Sequence, residues 1–337
     1  MTDQITEQLQ RWAETERGPE ATVGAVRPMP GHAGLSFGFE VRTGDRPDER
    51  LVVRLAPPGV RRRGNTDVLR QVPVLQAMDR AGVPVAPVVW SSDDPAIFGT
   101  DAYVQRFVEG APLRFDEGRW TPGDGDPLPF LSSQIRALAQ IHAVDWRAEL
   151  AGWESPKELD AEIEHWRALQ PKMAEEHTSV LADRLADALL ASRPDAPDVG
   201  VFHGDFHPTN VLFRDDASVS AVVDWEICGI GAQLLDIAWL SMMLDGRCWD
   251  LPANRGLQGD VDSAWLLERY QAESGRDVSD AAWFKALSCY RFGVITGFNL
   301  RLHRTGKRDD PHWEDIGSSC AALLERGLHL LEHPGDF

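Results

Sequence analysis

The chain has 337 residues, enough for about two domains that each bury a hydrophobic core. It carries 34 Lys and Arg residues against 53 Asp and Glu residues, a formal net charge of −19. This excess of acid argues against binding to nucleic acid or to an anionic membrane surface, because both interactions rely on basic patches. A hydrophobic fraction of 43% excludes a chain that is disordered throughout.

The cysteines and the most apolar stretch indicate a cytoplasmic protein. Four cysteines occur without a C-x-x-C pair, so the sequence suggests neither a zinc knuckle nor a disulfide framework. The first twenty residues lack an apolar run. Residues 228–244 are apolar but contain Gln233 and Asp236, and the stretch is short for a membrane span. We therefore expect a buried helix there and no membrane segment. The oligomeric state has no signal in the sequence.

The first hundred residues have the pattern of a small sheet. An amphipathic segment around Leu9 opens the chain. Apolar patterns predict a glycine-bearing strand or hairpin at 33–42 and strands at 51–55, 83–90 and 102–108. Between the second and third strands, apolar residues at helical spacing predict a helix that contains Pro73. Proline is tolerated in the first turn of a helix, so this helix is expected to begin near it or to be kinked there.

From Gly110 onward the pattern changes to long helices. A loop rich in Gly and Pro precedes helical patterns around 131–142, 159–166 and 181–189, and one strand pair is predicted at 210–213 and 221–225. The expected fold class is α+β with two lobes. Residues 1–109 would form a small antiparallel-sheet lobe that binds nucleotide, and residues 110–337 a mainly helical lobe that carries catalysis and substrate binding.

The most informative residues lie around the predicted strand pair. The segment from His203 to Asn210 reads H-G-D-F-H-P-T-N, and Asp224 follows the second strand. A hairpin would bring Asn210 close to Asp224, and amide and carboxylate oxygens are ligands that Mg²⁺ accepts. Asp205, on the loop, is free to face a substrate hydroxyl. Metal ligands together with a separate carboxylate are what phosphoryl transfer requires.

Other polar residues nearby are interpreted as structural support. His203 and His207 are expected to hold the loop, because Asp205 already supplies the proton acceptor. Asp236, inside an apolar helix, is expected to accept hydrogen bonds from backbone amides of the loop. His142, on the apolar face of its helix, is expected to be a core histidine whose hydrogen bonds are satisfied.

At these residues the sequence resembles the aminoglycoside phosphotransferase-like (APH/choline kinase) family of the protein-kinase-like fold. The family's catalytic loop reads H-G-D-x-x-x-x-N, and its metal-binding Asp follows a hairpin, as in Asp224-Trp225-Glu226. Residues 51–59 and 229–240 are most similar to the subgroup associated with acyl-CoA dehydrogenases. The resemblance, which extends over about 31–306, implies a kinase that phosphorylates a hydroxyl of a small molecule with Mg²⁺ and ATP or GTP.

The same resemblance implies residues that contact the nucleotide. Arg54 stands at the strand position that holds the phosphates. The other implied contacts are Gly34, Ser36, Gln105 and Phe107. Protein kinases use a Lys at the position of Arg54 and pair it with a helix Glu. Here the corresponding helix position is Gln71, which cannot form an ion pair, so either another acid or the nucleotide itself must order Arg54.

Two other functions remain open from the residues alone. A non-catalytic nucleotide-binding protein of the same fold is compatible with Gln71. Asp205-Phe206-His207 also matches the D-x-H that opens two-metal phosphoesterase sites, although the further ligands of such sites are not evident. The acceptor is not identified by the sequence, and the excess of acidic residues is compatible with a cationic one.

Overall fold

The computed structural model describes the chain except for residues 1, 30–34, 45–46, 58, 60–65, 117–118, 122–124, 251–254 and 257–260. Gly34 therefore lies outside the described residues. The chain divides into two compact units, one of residues 1–110 and 220–228, the other of residues 111–219 and 229–337. The predicted assignment of nucleotide binding to 1–109 and of catalysis to 110–337 stays a prediction; residues 220–228 group with the first unit.

The first unit is built on an antiparallel sheet. Its strands are β1 (Ala21–Val23), β2 (Arg27–Pro28), β3 (Leu35–Thr43), β4 (Glu49–Leu55), β5 (Val88–Ser92) and β6 (Ala102–Arg106). They are ordered β1-β3-β4-β6-β5, and β2 also pairs with β3. The predicted third strand begins only at Val88, because Pro84 and Pro87 lack the N–H that a strand ladder needs.

Among the described residues of the first unit, three α-helices accompany this sheet. The helices are α1 (Thr2–Arg17), α2 (Gln71–Arg80) and α3 (Pro95–Phe98). The apolar face of α1 buries Leu9 and Trp12 against Phe39 and Val53, which point to the same side of the sheet because side chains alternate along a strand. The Trp12 and Phe39 rings meet edge to face at 5.7 Å. Pro73 lies in the first turn of α2, as predicted.

The second unit is mainly helical. Its helices are α4 (Leu128–His142), α5 (Trp146–Glu149), α6 (Leu159–Arg167), α7 (Glu176–Ala191), α8 (Leu234–Leu244), α9 (Ser263–Ser274), α10 (Ala281–Arg304), α11 (His312–Gly317) and α12 (Cys320–Glu332). The long helix α10 packs against α7, α8 and α12. Every residue of α8 is buried, which agrees with its lack of a polar face.

The described residues of the second unit form six short strands in addition to the one strand pair that the sequence predicts from Gly110 onward. They are β7 (Ala111–Pro112), β8 (Arg114–Asp116), β9 (Arg119–Thr121), β10 (Val199–Phe202), β13 (Gly229–Ala232) and β14 (Arg255–Gly256). The expected pair corresponds to β11 (Val211–Phe213) and β12 (Val219–Val222), which lie on either side of a turn at 214–218. Strands of two to four residues are too short to produce a recognisable alternation.

The expectation of one helix over 228–244 is wrong at its N-terminal end. Gly229–Ala232 is strand β13, antiparallel to β10, and helix α8 begins at Leu234. A Cβ atom on Gly229 would lie 2.8 Å from the ring of Phe202, so glycine is required for this close packing. Among the described residues, no helix combines the length and apolarity needed to cross a bilayer.

Candidate active site

The candidate catalytic loop runs from His203 to Asn210, between β10 and β11. The N–H groups of His203 and Gly204 donate to the two carboxylate oxygens of Asp236 on α8, each at 2.7 Å. Gly204 has a φ of 89°, a left-handed conformation in which a Cβ would be strained. The predicted role of Asp236, to accept hydrogen bonds from the backbone of this loop, is confirmed.

Asp236 is itself fixed by a buried histidine. His142 Nε2 lies 3.1 Å from Asp236 Oδ2, and His142 Nδ1 lies 2.6 Å from the hydroxyl of Tyr270. Burial lowers the pKa of His142, so the ring is neutral at pH 7 and can donate through one nitrogen and accept through the other. His142 is thus a core histidine whose hydrogen bonds are satisfied, as predicted. It links α4, through its own backbone, and α9, through Tyr270, to Asp236, which holds the catalytic loop.

Asp205 is surrounded by groups that stabilise its ionised form. Trp239 Nε1 donates to Asp205 Oδ1 at 3.0 Å, and Asn210 Nδ2 donates to Asp205 Oδ2 at 3.1 Å. His207 Nε2 lies 3.3 Å from Oδ1. Burial alone would raise the pKa of Asp205, but His207, His203 and the Trp239 hydrogen bond outweigh it and lower the pKa to about 2. At neutral pH this carboxylate is ionised and able to accept a hydrogen bond from a hydroxyl.

Asn210 is held in one orientation by the loop. Its amide nitrogen donates to the main-chain carbonyl of Asp205 at 3.0 Å as well as to the carboxylate. Because the nitrogen is committed to these acceptors, the amide oxygen is the atom that can serve a cation. Pro208 starts the short 3-10 turn that ends at Asn210 and leads directly into β11.

Asp224, in the first unit, follows β12. Its φ is 65°, in the left-handed region that non-glycine residues rarely adopt. The flanking chain is fixed by a hydrogen bond from Val222 N to Pro84 O at 2.8 Å and one from Trp225 Nε1 to Val222 O at 3.0 Å. A backbone conformation of this kind is maintained by its surroundings, and it is common at functional positions.

Arg54 on β4 meets two carboxylates of this same segment. Its Nη2 donates to Glu226 Oε2 at 2.9 Å and to Asp224 Oδ1 at 3.4 Å. Burial by itself lowers the pKa of Arg54, but Tyr103, Asp224 and Glu226 raise it, and the net shift is upward. Glu226 is thus the nearer of two acids that pair with Arg54 where the helix position carries Gln71.

Gln71, at the start of α2, is buried and faces the same small cavity as Arg54. Its side-chain oxygen accepts from the hydroxyl of Tyr103 at 3.4 Å, while its Nε2 has no hydrogen-bond partner among the residues that the structure describes. A cavity of about 50 Å³ is lined by polar groups of Arg54, Gln71, Tyr103 and Asp224. A volume of this size holds about three water molecules, which could satisfy Gln71 Nε2.

Ser36, Gln105 and Phe107, three further predicted nucleotide contacts, lie on or next to the strands of the first unit's antiparallel sheet. Ser36 stands opposite Arg54 in the β3–β4 register, and Gln105 on β6 lines the cavity beside Arg54. Phe107 follows β6, where its N–H donates to Arg50 O at 2.8 Å and its ring lies 4.0 Å from the Arg50 guanidinium. Their roles toward a nucleotide stay predictions.

The donor atoms suit magnesium better than a transition metal. Asn210 and Asp224 both offer oxygen, which Mg²⁺ prefers, and it usually completes its shell with water and substrate phosphates. Within the described part of the chain, no group of three or more His, Cys, Asp or Glu side chains converges as a ready-made metal cage. A magnesium ion that arrives with a nucleotide does not need one.

Two residues of the site received no role in the sequence analysis. Trp239 lies three positions after Asp236 on α8, a spacing that puts both side chains on one face of the helix, so the motif spacing could have indicated it. Glu226 was part of the quoted Asp224-Trp225-Glu226 motif, but nothing in the sequence indicated that its partner is Arg54.

Comparison with known proteins places these residues in a family. The model of the "Phosphotransferase enzyme family" matches residues 29–272. Acyl-CoA dehydrogenase family member 11 of Gallus gallus is 31% identical over 84% of this chain, which covers 38% of that protein. The chain thus spans about two fifths of the length of this relative and of the probable acyl-CoA dehydrogenase IBR3 of Arabidopsis thaliana.

Solved structures share the fold. A candidate aminoglycoside phosphotransferase from Ralstonia eutropha superposes with a TM-score of 0.77 at 23% identity, over 97% of this chain and 98% of that one. A thermostable variant of aminoglycoside phosphotransferase APH(4)-Ia superposes with a TM-score of 0.58 at 17% identity, over 95% and 99%. The predicted protein-kinase-like α+β class is confirmed. Since the family model covers well over half of the sequence, this chain belongs to the phosphotransferase enzyme family.

Proposed function

We propose that this phosphotransferase transfers the γ-phosphoryl group of ATP or GTP to a hydroxyl of a small molecule, with Mg²⁺ as cofactor. The observation that carries the proposal is the environment of Asp205. Its carboxylate is half-buried, ionised at neutral pH and oriented by Trp239 and Asn210. A carboxylate held in this way is suited to accept the hydrogen bond of an acceptor hydroxyl and to receive its proton during transfer.

The other residues take the roles that phosphoryl transfer requires. The amide oxygen of Asn210 and the carboxylate of Asp224 would each supply a ligand to magnesium. When bound, the metal would neutralise charge on the phosphate oxygens. Arg54 would hold the phosphates with its guanidinium fork. Gly34, Ser36, Gln105 and Phe107 would contact other parts of the nucleotide.

The acceptor is a small molecule with a free hydroxyl. The related APH(4)-Ia structure is a ternary complex with AMP-PNP and hygromycin B, which supports a nucleotide and a small acceptor as the two ligands of this fold. The net charge of −19 is compatible with a cationic acceptor, because acidic surfaces concentrate cations.

The direct test is thermal unfolding with nucleotide and metal. Ligand binding to the folded state raises the unfolding temperature by mass action, so Mg-ATP or Mg-GTP should raise it clearly and nucleotide without metal only weakly. A screen of hydroxylated metabolites and antibiotics with γ-labelled ATP would then identify the acceptor. An unfolding temperature that does not move at saturating Mg-ATP and Mg-GTP would contradict the proposal.

A further inference from the structure

We infer that Glu226 is the positioning residue for Arg54, the role that a helix Glu performs for the phosphate-holding Lys of protein kinases. The inference rests on the proposed nucleotide site, because it concerns the residue that prepares Arg54 for nucleotide phosphates. It gives the second acid of the Asp224-Trp225-Glu226 motif a task separate from metal binding.

The contacts distinguish Glu226 from Asp224. Arg54 Nη2 lies 2.9 Å from Glu226 Oε2, the distance of a charge-assisted hydrogen bond, and 3.4 Å from Asp224 Oδ1, at the outer limit of one. The Glu226 side chain is 19% exposed and that of Asp224 38% exposed. The tighter and more buried partner of Arg54 is therefore Glu226, while Asp224 retains access to solvent and to a metal.

The helix cannot supply the anchor. Gln71 is uncharged, and its oxygen accepts from Tyr103. In protein kinases the Lys–Glu pair depends on where the helix that carries the Glu lies. Here Arg54 lies on β4 and Glu226 lies on the segment after β12, so neither member of the pair belongs to a helix. The acid that holds Arg54 is thus not carried by α2, although Arg70, directly before α2, donates to Cys228 O of the same segment at 2.6 Å.

Nucleotide affinity measured across a magnesium titration tests this assignment. Glu226→Gln removes the charge and keeps the shape, so Arg54 loses its stronger partner, and we expect nucleotide affinity to fall about 5- to 20-fold at every magnesium concentration. In an Arg54→Ala background the same change should have little effect, because the interaction it breaks is already absent. Glu226→Asp, which keeps the charge, should recover part of the affinity.

Glu49→Gln is the matched control. It breaks another Arg–Glu pair of the first unit, Arg17 Nε to Glu49 Oε1 at 2.9 Å, and should leave nucleotide affinity unchanged. Thermal unfolding without nucleotide establishes that each variant is folded.

Three results would overturn the inference. Glu226→Gln could change only the magnesium concentration at which nucleotide binding is half-maximal, which would make Glu226 a metal ligand. It could raise nucleotide affinity, which would make the carboxylate a source of repulsion for phosphates. It could weaken binding equally with and without Arg54, which would make the effect independent of that residue. If the parent protein binds no nucleotide at all, the proposed function fails first and the inference with it.

Discussion

The two units hold their candidate functional side chains by different physical means. In the second unit, the nitrogens of Trp239 and Asn210 donate neutral hydrogen bonds to the carboxylate of Asp205, and His207 Nε2 lies 3.3 Å from the same carboxylate. In the first unit, the cation Arg54 is held by the carboxylates of Glu226 and Asp224. The neutral donors of Trp239 and Asn210 orient the charge of Asp205 without cancelling it. Arg54, in contrast, would have to be shared between its carboxylate partners and an incoming phosphate.

This difference predicts which property each unit loses when its functional side chain is replaced. A change at Asp205 should remove a proton acceptor and leave binding intact, because the surrounding donors remain. A change at Arg54 or its acids should alter the affinity for phosphates, because charge is the basis of that contact.

The largest expected effect is that of Asp205→Asn on turnover. The substitution keeps the shape of the side chain but removes the acceptor for the hydroxyl proton, so kcat should fall by about 10²–10⁴. Steady-state kinetics with the identified acceptor checks this. Asp216→Asn, an exposed turn carboxylate in the same unit that accepts from Ser218 N, is the control and should retain parental kcat. Parental kcat in Asp205→Asn would exclude a proton-acceptor role.

Next in size is the effect of Asp236→Asn on stability. An Asn side chain can accept through one atom only, so one of the N–H groups of His203 and Gly204 would be left facing an amide nitrogen in a buried site. We expect the free energy of unfolding to fall by about 2–4 kcal/mol. Denaturant unfolding measures it, with the exposed Asp277→Asn, which keeps one oxygen to accept from Ser279 N and loses the one that accepts from Ser279 Oγ, as control. Equal stability of both variants would mean that Asp236 does not support the loop.

Arg54→Ala should have an intermediate effect on nucleotide binding. Removing the guanidinium removes a charge-assisted contact to phosphate, and affinity should fall about 10- to 100-fold. Arg54→Lys should recover part of this loss, because it keeps the charge but not the fork. Calorimetry with Mg-ATP measures the change. Arg42→Ala removes an exposed cation of strand β3 and serves as the comparison. Were the two alanine variants to bind equally well, Arg54 would have no phosphate role.

The smallest expected effect belongs to Trp239→Phe. The ring keeps its edge-to-face contact with Phe292, but the hydrogen bond to Asp205 is lost, so kcat should fall about three- to tenfold. Loss of a donor to the ionised form raises the pKa of Asp205 from about 2, yet leaves it ionised near neutrality. The pH profile of kcat between pH 6 and 9 should therefore keep its parental shape.

Trp249→Phe is the matched control for that experiment. Trp249 also meets Phe292 edge to face, but its Nε1 donates to Met242 O and does not reach Asp205. If both tryptophan variants lose the same fraction of kcat, the effect comes from packing and not from the hydrogen bond to Asp205.

Much of the catalytic loop could be predicted because its chemistry is local. Asp205 and Asn210 are five residues apart, and their hydrogen bonds form within one loop. Asp236 could be predicted because an acid in an apolar helix must find donors, and loop amides are the usual ones. These arguments depend on nearby residues and on the cost of burial.

The partner of Arg54 could not be predicted, because it depends on distant segments. Arg54 and Glu226 are 172 residues apart, and no periodicity or spacing relates them. The strand β13 was missed for a similar reason. Its pairing with β10 is decided by whether Phe202 can pack over Gly229 and Gly231, a tertiary fit that a four-residue window does not encode.

The central claim is that Asp205 acts on the acceptor and Asp224 on the metal. Calorimetric titration of Mg-ATP and kinetic measurement of phosphoryl transfer, performed on Asp205→Asn and Asp224→Asn beside the parent, test it most directly. Asp224→Asn should lose both nucleotide affinity and turnover, because a charge leaves the metal's coordination shell. Asp205→Asn should lose turnover and keep its affinity. If Asp205→Asn loses Mg-ATP affinity as severely as Asp224→Asn, then Asp205 is a metal ligand and the claim is contradicted.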